Sequence, residues 1–200
     1  SSMNDSRPLT IATVCARGGS KGLPRKNVRA FAGMPLIAHT LRQALACPLI
    51  DAVVVSTDDD EIASVALAHG AQVPYRRPAE LATDRAAKIP AIEHLVRHLE
   101  AGGLRIGTVV DLQPTSPLRS AADLLEALAL ATDAELVVSV TEPSHNPYYS
   151  LVERQPDGSL QLSKTAIHVR RQDAPVVWGL NGAIYVWQRA ALARAAEQGF

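Results

Sequence analysis

The chain has 200 residues with 20 basic and 20 acidic side chains, and hydrophobic residues make up 47% of it. Such a balance buries a core and excludes both a disordered chain and a general polyanion binder. The neutral total is nevertheless unevenly spread. Residues 6–50 carry seven cations (Arg7, Arg17, Lys21, Arg25, Lys26, Arg29, Arg42) and no acid, so the remaining 155 hold 13 cations against 20 acids, a net of −7.

In chain order, β-branched runs alternate with alanine- and leucine-rich stretches. A strand is predicted over Leu9–Ala16, then a helix over Leu36–Ala46, a strand over Ala52–Ser56 and a helix over Asp60–His69 that Gly70 stops. Within Ile89–Glu100 the apolar residues Ile89, Ile92, Leu95, Val96 and Leu99 recur at helical spacing. A strand over Thr108–Leu112 precedes a helix over Leu124–Ala131, with Ser120 and Asp123 spaced as a capping box. Strands over Glu135–Val140 and Ala183–Trp187 complete the pattern. Continuous apolar strands between helices argue for an α/β fold with a mostly parallel sheet flanked by helices.

The alternation fades near residue 142. Two short strands are predicted around the Pro156-Asp157-Gly158 turn, giving one domain over 1–200 with a projecting hairpin arm at 142–175. No apolar run reaches the roughly 18 residues of a membrane helix, and residues 1–10 show no secretory core. Cys15 and Cys47 lack CxxC or Cys/His spacing, so no zinc site or disulfide framework is indicated and a cytoplasmic location is expected.

The chemistry begins where the first strand runs into Ala16-Arg17-Gly18-Gly19-Ser20-Lys21-Gly22, followed by Arg25, Lys26 and Asn27. Glycines let the backbone turn its N–H groups toward an anion, and the cations supply countercharge. The spacing fits neither the Walker pattern nor GxGxxG. A plain glycine turn with surface cations is the bland alternative. Four cations and three glycines in ten residues after a buried strand favour phosphate binding.

These residues carry a resemblance. Ala-Arg-Gly-Gly-Ser-Lys-Gly with Lys26-Asn27 resembles the signature of the acylneuraminate cytidylyltransferases, the CMP-sialic acid synthetases. It continues through Ser56-Thr-Asp58-Asp59, Arg77-Pro-Ala-Glu-Leu-Ala-Thr-Asp84, Leu112-Gln-Pro-Thr-Ser-Pro-Leu-Arg119, Arg171-Gln and Asn181-Gly-Ala-Ile-Tyr185. The resemblance implies a Rossmann-like nucleotidyltransferase fold, a homodimer formed through the arm, and Mg²⁺-dependent transfer of CMP from CTP to an acidic nine-carbon sugar. It implies phosphate contacts from Ala16 to Gly22 with Lys26, and roles for Arg17, Lys21 and Gln113 at the reacting centre. Asn27, Arg77 and the backbone at Ala86 are expected at the cytidine. Gln113, Arg119, Tyr149, Arg171, Asn181 and Tyr185 are expected around the sugar, with Arg171 the leading partner for its carboxylate.

Each has a plainer reading: Arg171 as an arm cation paired with an acid, Arg77 as a loop residue, Asn181 as a turn former, Gln113 as a strand-end side chain. Asp58 to Glu61 read as helix-dipole charge rather than as a metal cluster, and His94 and His98 lack the glutamate of a zinc pair. Relatives of this kind continue to an Asp-Ile-Asp motif that helps bind metal; no such motif occurs by Phe200. Asp111, on the face of Gln113 by strand alternation, is the expected metal ligand, the alternative being an acid satisfied by a neighbouring cation. Where sialic-acid-using relatives place a lysine, this chain has Pro147-Tyr148-Tyr149. Lys88 stands where they often have serine, so Asp-Arg-Ala-Ala-Lys-Ile-Pro is closer to relatives acting on legionaminic-type sugars. The rival readings are a 3-deoxy-manno-octulosonate cytidylyltransferase, opposed by Thr115 and Ser116 where those relatives carry an acid, and a CTP-binding module without turnover. No nucleic-acid or membrane partner is expected.

Overall fold

Along β1 (Leu9–Cys15) the side chains alternate between two faces, Ala12 and Val14 to one side, Ile11 and Cys15 to the other. This alternation organises the fold. The structure, a computed structural model, describes residues 7–19, 28, 30–31, 33–83, 87–116, 119–165 and 170–199. After β1 come a small antiparallel pair, β2 (Ala30–Phe31) and β3 (Met34–Pro35), then α1 (Leu36–Ala46), β4 (Ala52–Ser56), α2 (Asp60–Ala68), α3 (Lys88–Ala101) and β5 (Ile106–Leu112). There follow α4 (Ala121–Leu130), β6 (Leu136–Thr141), β7 (Val152–Arg154), β8 (Leu160–Leu162), β9 (Gly179–Gln188) and α5 (Arg189–Gln198). The main sheet has the order β4-β1-β5-β9-β6. β4, β1 and β5 are mutually parallel, and β9 runs antiparallel to β5. The expected mostly parallel α/β sheet is present, with β9 reversed against β5 inside it.

Two apolar layers cover the sheet. On one face Ile37 and Leu41 of α1, Ile62 and Ala66 of α2 and Leu124 and Leu128 of α4 pack on Val14, Val55, Val110 and Val186. On the other, Ile92, Leu95, Val96 and Leu99 of α3 and Leu192 of α5 pack on Ile11, Val54, Val109 and Trp187. Full burial of a residue such as Leu95 stabilises by about 1.5–3 kcal/mol. Between α3 and α5 a buried carboxylate is clamped: Arg189 donates to both oxygens of Glu93 at 2.8 and 3.0 Å and also holds Glu100. These acids hold the Arg189 guanidinium above its ordinary value, Glu100 most strongly.

The helices begin where caps dictate. Ser120 and Asp123 form the capping box, so α4 starts at Ala121, three residues before its predicted start. Asp59 caps α2 by accepting from Ile62 N–H at 2.9 Å, and Asp60 and Glu61 fill its first turn, so these acids do serve the helix. Helix α5 has no counterpart among the predicted elements. Its buried residues are only Ala191 and Leu192, too few large side chains to mark a stripe.

The chain divides into two compact units: residues up to 138 with those from 182 onward, and residues 139–181. In the second, β7 and β8 pair antiparallel about the turn at Gly158, which has φ 87°, and Ser159 donates to Asp157. This unit exposes Val152, Leu160, Val176, Trp178 and Leu180. Among the described residues no helix is long and apolar enough to cross a membrane.

Candidate active site

Because β1, β4 and β5 are parallel, their carboxyl ends lie along one edge of the sheet unit, and four groups of polar residues collect there. The first is the segment leaving β1. Ala16 is buried and donates to Ser56 O at 3.0 Å. Gly18 N–H donates to Asp58 Oδ1 at 3.0 Å, and a Cβ at Gly18 would lie 2.6 Å from Asp59 Oδ2. Only glycine lets the backbone pass this close to the acids that open α2. Arg17 and Gly19 lie in the same segment, and a side chain at Gly19 would meet nothing within 4 Å. The expected phosphate contacts Ser20, Lys21, Gly22, Lys26 and Asn27 lie outside the described residues, as does Ala86.

The second group is built on Arg77. Its backbone N–H donates to Thr57 O at 2.7 Å, continuing β4 by one bridge. Its guanidinium turns inward, Nε to Ser56 Oγ at 3.0 Å and Nη2 to Ser56 O at 2.7 Å. One carbonyl, that of Ser56, thus receives both the start of the glycine- and cation-rich segment and Arg77. Arg77 is buried, not a surface loop residue.

Gln113 and Arg119 form the third group. Gln113 Oε1 accepts from Ser116 Oγ at 2.7 Å, and its backbone N–H donates to Ala183 O at 3.2 Å. Gly182, next to that carbonyl, has φ 73°, a conformation that favours glycine, and faces the Gln113 amide. Arg119 is buried behind them. It donates to Ala183 O at 2.5 Å, Gln113 O at 2.8 Å, Thr40 Oγ1 at 2.8 Å and Gln43 Oε1 at 3.1 Å. Burial pulls its guanidinium down to about 10, with Asp111 opposing, so it is still charged at neutral pH.

On the opposite face of the same sheet edge is the fourth group. Asp111 is 1% exposed. Thr13 Oγ1 donates to its Oδ1 at 3.0 Å, and Lys88 Nζ stands 2.5 Å from Oδ2. That ion pair is off the direction of a hydrogen bond, so Oδ2 has a countercharge but no hydrogen-bond donor among the described residues. Tyr185 is the register partner of Asp111 on β9. Burial works to lower the Lys88 ammonium, but Asp111 and then Cys15 outweigh it and the net direction is up. The Cys15 thiol is pushed up to about 12, chiefly by burial and then by Asp111. No group of three or more His, Cys, Asp or Glu side chains gathers among the described residues. Magnesium binds through one or two carboxylates plus substrate phosphates. A buried hard oxygen without a hydrogen bond fits that demand as a single ligand, provided Lys88 moves aside.

Of the remaining expected sugar residues, Arg171 lies over the Tyr149 ring at 5.3 Å, and Asn181 Oδ1 accepts from Ser139 Oγ at 2.6 Å. Both pairs belong to the 139–181 unit. Thr13, Thr40 and Gln43 are legible as neighbours of the site only in the fold, since polar residues within strands and helices carry no signal until a register assigns them a face. His94 and His98 serve a different purpose: both rings lean on Tyr75, whose hydroxyl is 2.8 Å from His94 Nδ1.

The model of a family described as "Cytidylyltransferase" matches residues 11–190. A CMP-N,N'-diacetyllegionaminic acid synthase of Campylobacter jejuni is 38% identical over 182 residues, covering 90% of this chain and 77% of the relative. The synthase of the same name from Legionella pneumophila is 37% identical, with 88% and 76% covered. An N-acylneuraminate cytidylyltransferase A of Danio rerio is 36% identical over 94% of this chain and 43% of its own. Among solved structures, a CMP:2-keto-3-deoxy-manno-octonic acid synthetase complexed with CTP superposes with TM-score 0.68 at 17% identity, over 94% of this chain and 78% of that one. At that identity the likeness speaks for the fold.

Proposed function

Because the chain belongs to the cytidylyltransferase family, we propose that it transfers CMP from CTP to the anomeric hydroxyl of a nonulosonic sugar and releases pyrophosphate. The observation that carries this reading is the convergence at one sheet edge. The described start of the glycine- and cation-rich segment, Ala16 to Gly19, lies after β1, Arg77 beside the end of β4 and Gln113 after β5, along the edge where open α/β sheets bind ligands. The names of the relatives point to a legionaminic-type acceptor.

In this reading the sugar oxygen attacks the α-phosphorus, the bond to the bridging oxygen of pyrophosphate breaks, and the hydroxyl proton leaves. Such a transfer depends on positioning and charge rather than on a protein nucleophile. The N–H groups of Ala16 and Gly18 are engaged by Ser56 O and Asp58 Oδ1, so the other backbone N–H groups of Arg17 to Gly22, with the side chains of Arg17, Lys21 and Lys26, hold the triphosphate and stabilise the departing pyrophosphate. Asn27, Arg77 and the backbone at Ala86 take the cytidine. Gln113, Tyr149, Arg171, Asn181 and Tyr185 address the acceptor. The bonds of Arg119 are spent inside the protein, so it positions Gln113 rather than binding sugar. Magnesium, when bound, neutralises phosphate charge, and Asp111 is the residue that would hold it. The exposed apolar side chains of residues 139–181 suit pairing with a second copy, and use of CTP suits a cytoplasmic enzyme.

Pyrophosphate release from CTP, measured across a panel of nonulosonic acids, tests the reading. Turnover is expected with N,N'-diacetyllegionaminic acid ahead of sialic acid. CTP binding without release from any acceptor overturns it. Arg17→Ala is expected to raise the KM for CTP at least tenfold by removing phosphate countercharge. Sedimentation of the whole chain tests the dimer.

A further inference from the structure

Lys88 is the first residue of α3, a helix with no acid in its first turn. A cation there faces the positive end of the helix dipole, an arrangement that by itself is unfavourable. What holds it is Asp111, whose side chain is 1% exposed while that of Lys88 is 41% exposed. The lysine therefore has a way out to water and the carboxylate does not. Thr13 occupies Oδ1, whereas Oδ2 is met, among the described residues, by the ammonium alone at 2.5 Å. A pair whose cation reaches water while its carboxylate stays buried can give up that cation for another without drawing the acid into solvent.

We propose that Lys88 is a tethered countercation that competes with the divalent ion for Asp111 Oδ2. In the nucleotide-free protein the ammonium neutralises the buried carboxylate. When the metal binds, the two cations repel at a shared oxygen, and Lys88 swings outward. The consequence is an ordered use of metal: the protein alone takes it weakly, and the phosphates of CTP supply the additional ligands that let it displace the lysine. Lys88 acts here through Asp111 and is a positioning residue. The inference rests on the reading of Asp111 as the magnesium ligand.

The test is Mn²⁺ binding followed by electron paramagnetic resonance on the nucleotide-free chain. Lys88→Met is expected to bind Mn²⁺ at least tenfold more tightly than wild type, and Asp111→Asn and the double variant are expected to lose that site. Asp111→Asn binding as wild type does overturns both the ligand role and the exchange. Loss of binding in Asp111→Asn with no gain in Lys88→Met overturns the exchange alone. Because Lys88→Met leaves a buried charge and its fold is at stake, a second readout uses the unaltered protein. Reductive methylation of Lys88, quantified by mass spectrometry, is expected to rise at least threefold at saturating magnesium. An unchanged rate overturns the exchange, and in Asp111→Asn the fast rate is expected without any metal.

Discussion

The end of β5 meets two cationic groups, buried Arg119 on one face and half-exposed Lys88 on the other, and holds them by opposite means. On the α1 side Arg119 has no carboxylate bonded to it among the described residues. Its guanidinium is satisfied by two backbone carbonyls, a hydroxyl and an amide, four bonds in a fixed fork. On the α3 side Lys88 has one carboxylate oxygen and no aligned hydrogen bond. The first arrangement fixes backbone geometry, because moving Arg119 strands several buried acceptors at once. The second fixes only charge. A rigid clamp behind Gln113 and an exchangeable countercharge beside Asp111 are thus built from similar residue types by choice of acceptor.

The largest effect is expected from breaking the clamp. Arg119→Met removes four hydrogen bonds and leaves Gln113 O and Ala183 O with fewer donors in a buried setting. Each stranded group costs about 1–3 kcal/mol, so a loss of about 3 kcal/mol or more is expected in urea unfolding. Arg119→Lys keeps the charge but not the fork. If it restores full stability, charge rather than bonding geometry is what the site needs, and the contrast with Lys88 collapses.

Cys15 probes the Asp111 side from within. With its thiol at about 12, the folded state keeps the proton that the unfolded chain releases near pH 9. The unfolded state then binds fewer protons, so this group makes stability fall as pH rises from about 9 toward 12. The same shift leaves little thiolate at pH 9, and alkylation of Cys15 in the folded protein is expected to be at least a hundredfold slower than in the unfolded chain. Peptide mapping separates it from Cys47. Comparable rates would show that neither burial nor Asp111 acts on the thiol.

The Lys88–Asp111 pair is expected to matter less to stability than Arg119. Lys88→Met leaves the carboxylate without its countercharge, and because the lysine is partly exposed the loss is about 2 kcal/mol rather than the larger figure of a fully buried pair. Lys88→Met with Asp111→Asn is expected to recover most of that loss. A double variant less stable than Lys88→Met would mean that Asp111 is held for its bond to Thr13 instead.

What was legible in the sequence follows the same division. The cores of β1, β4 and β5 are runs of β-branched residues buried on both sides, and the local pattern was enough to place them. Strand alternation groups Asp111 with Gln113, whereas the structure ties the Gln113 backbone through Arg119 to Thr40 of α1 and turns Asp111 to the opposite face. The alternation did not disclose that α3 packs on that face with its first residue, Lys88, at the carboxylate, so Lys88 registered only as a lysine in place of serine. The expectation of Arg119 at the sugar rests on the resemblance of residues 112–119 to the family motif and not on any contact the sequence displays. The arginine's acceptors Thr40 and Gln43 lie on α1, far upstream, and only the folded sheet brings them behind Gln113. Pairings across elements are set by packing, and no local pattern encodes them.

A third cation gives the smallest effect and sharpens the comparison at its exposed end. Among the described residues Arg171, in the 139–181 unit, is held by neither a fork of acceptors nor a carboxylate but by the face of Tyr149 at 5.3 Å. At a wet site such a contact contributes about 0.5–1 kcal/mol. Tyr149→Phe preserves the face and is expected to change stability by no more than a few tenths of a kcal/mol. Tyr149→Leu is expected to lose about 0.5 kcal/mol, and that loss should vanish once Arg171→Ala has already removed the cation. A double-mutant cycle in thermal unfolding measures the coupling. Zero coupling would mean that the ring and the guanidinium are merely adjacent; a coupling carried by the ring but not by the hydroxyl leaves the hydroxyl of Tyr149 free to bond a ligand.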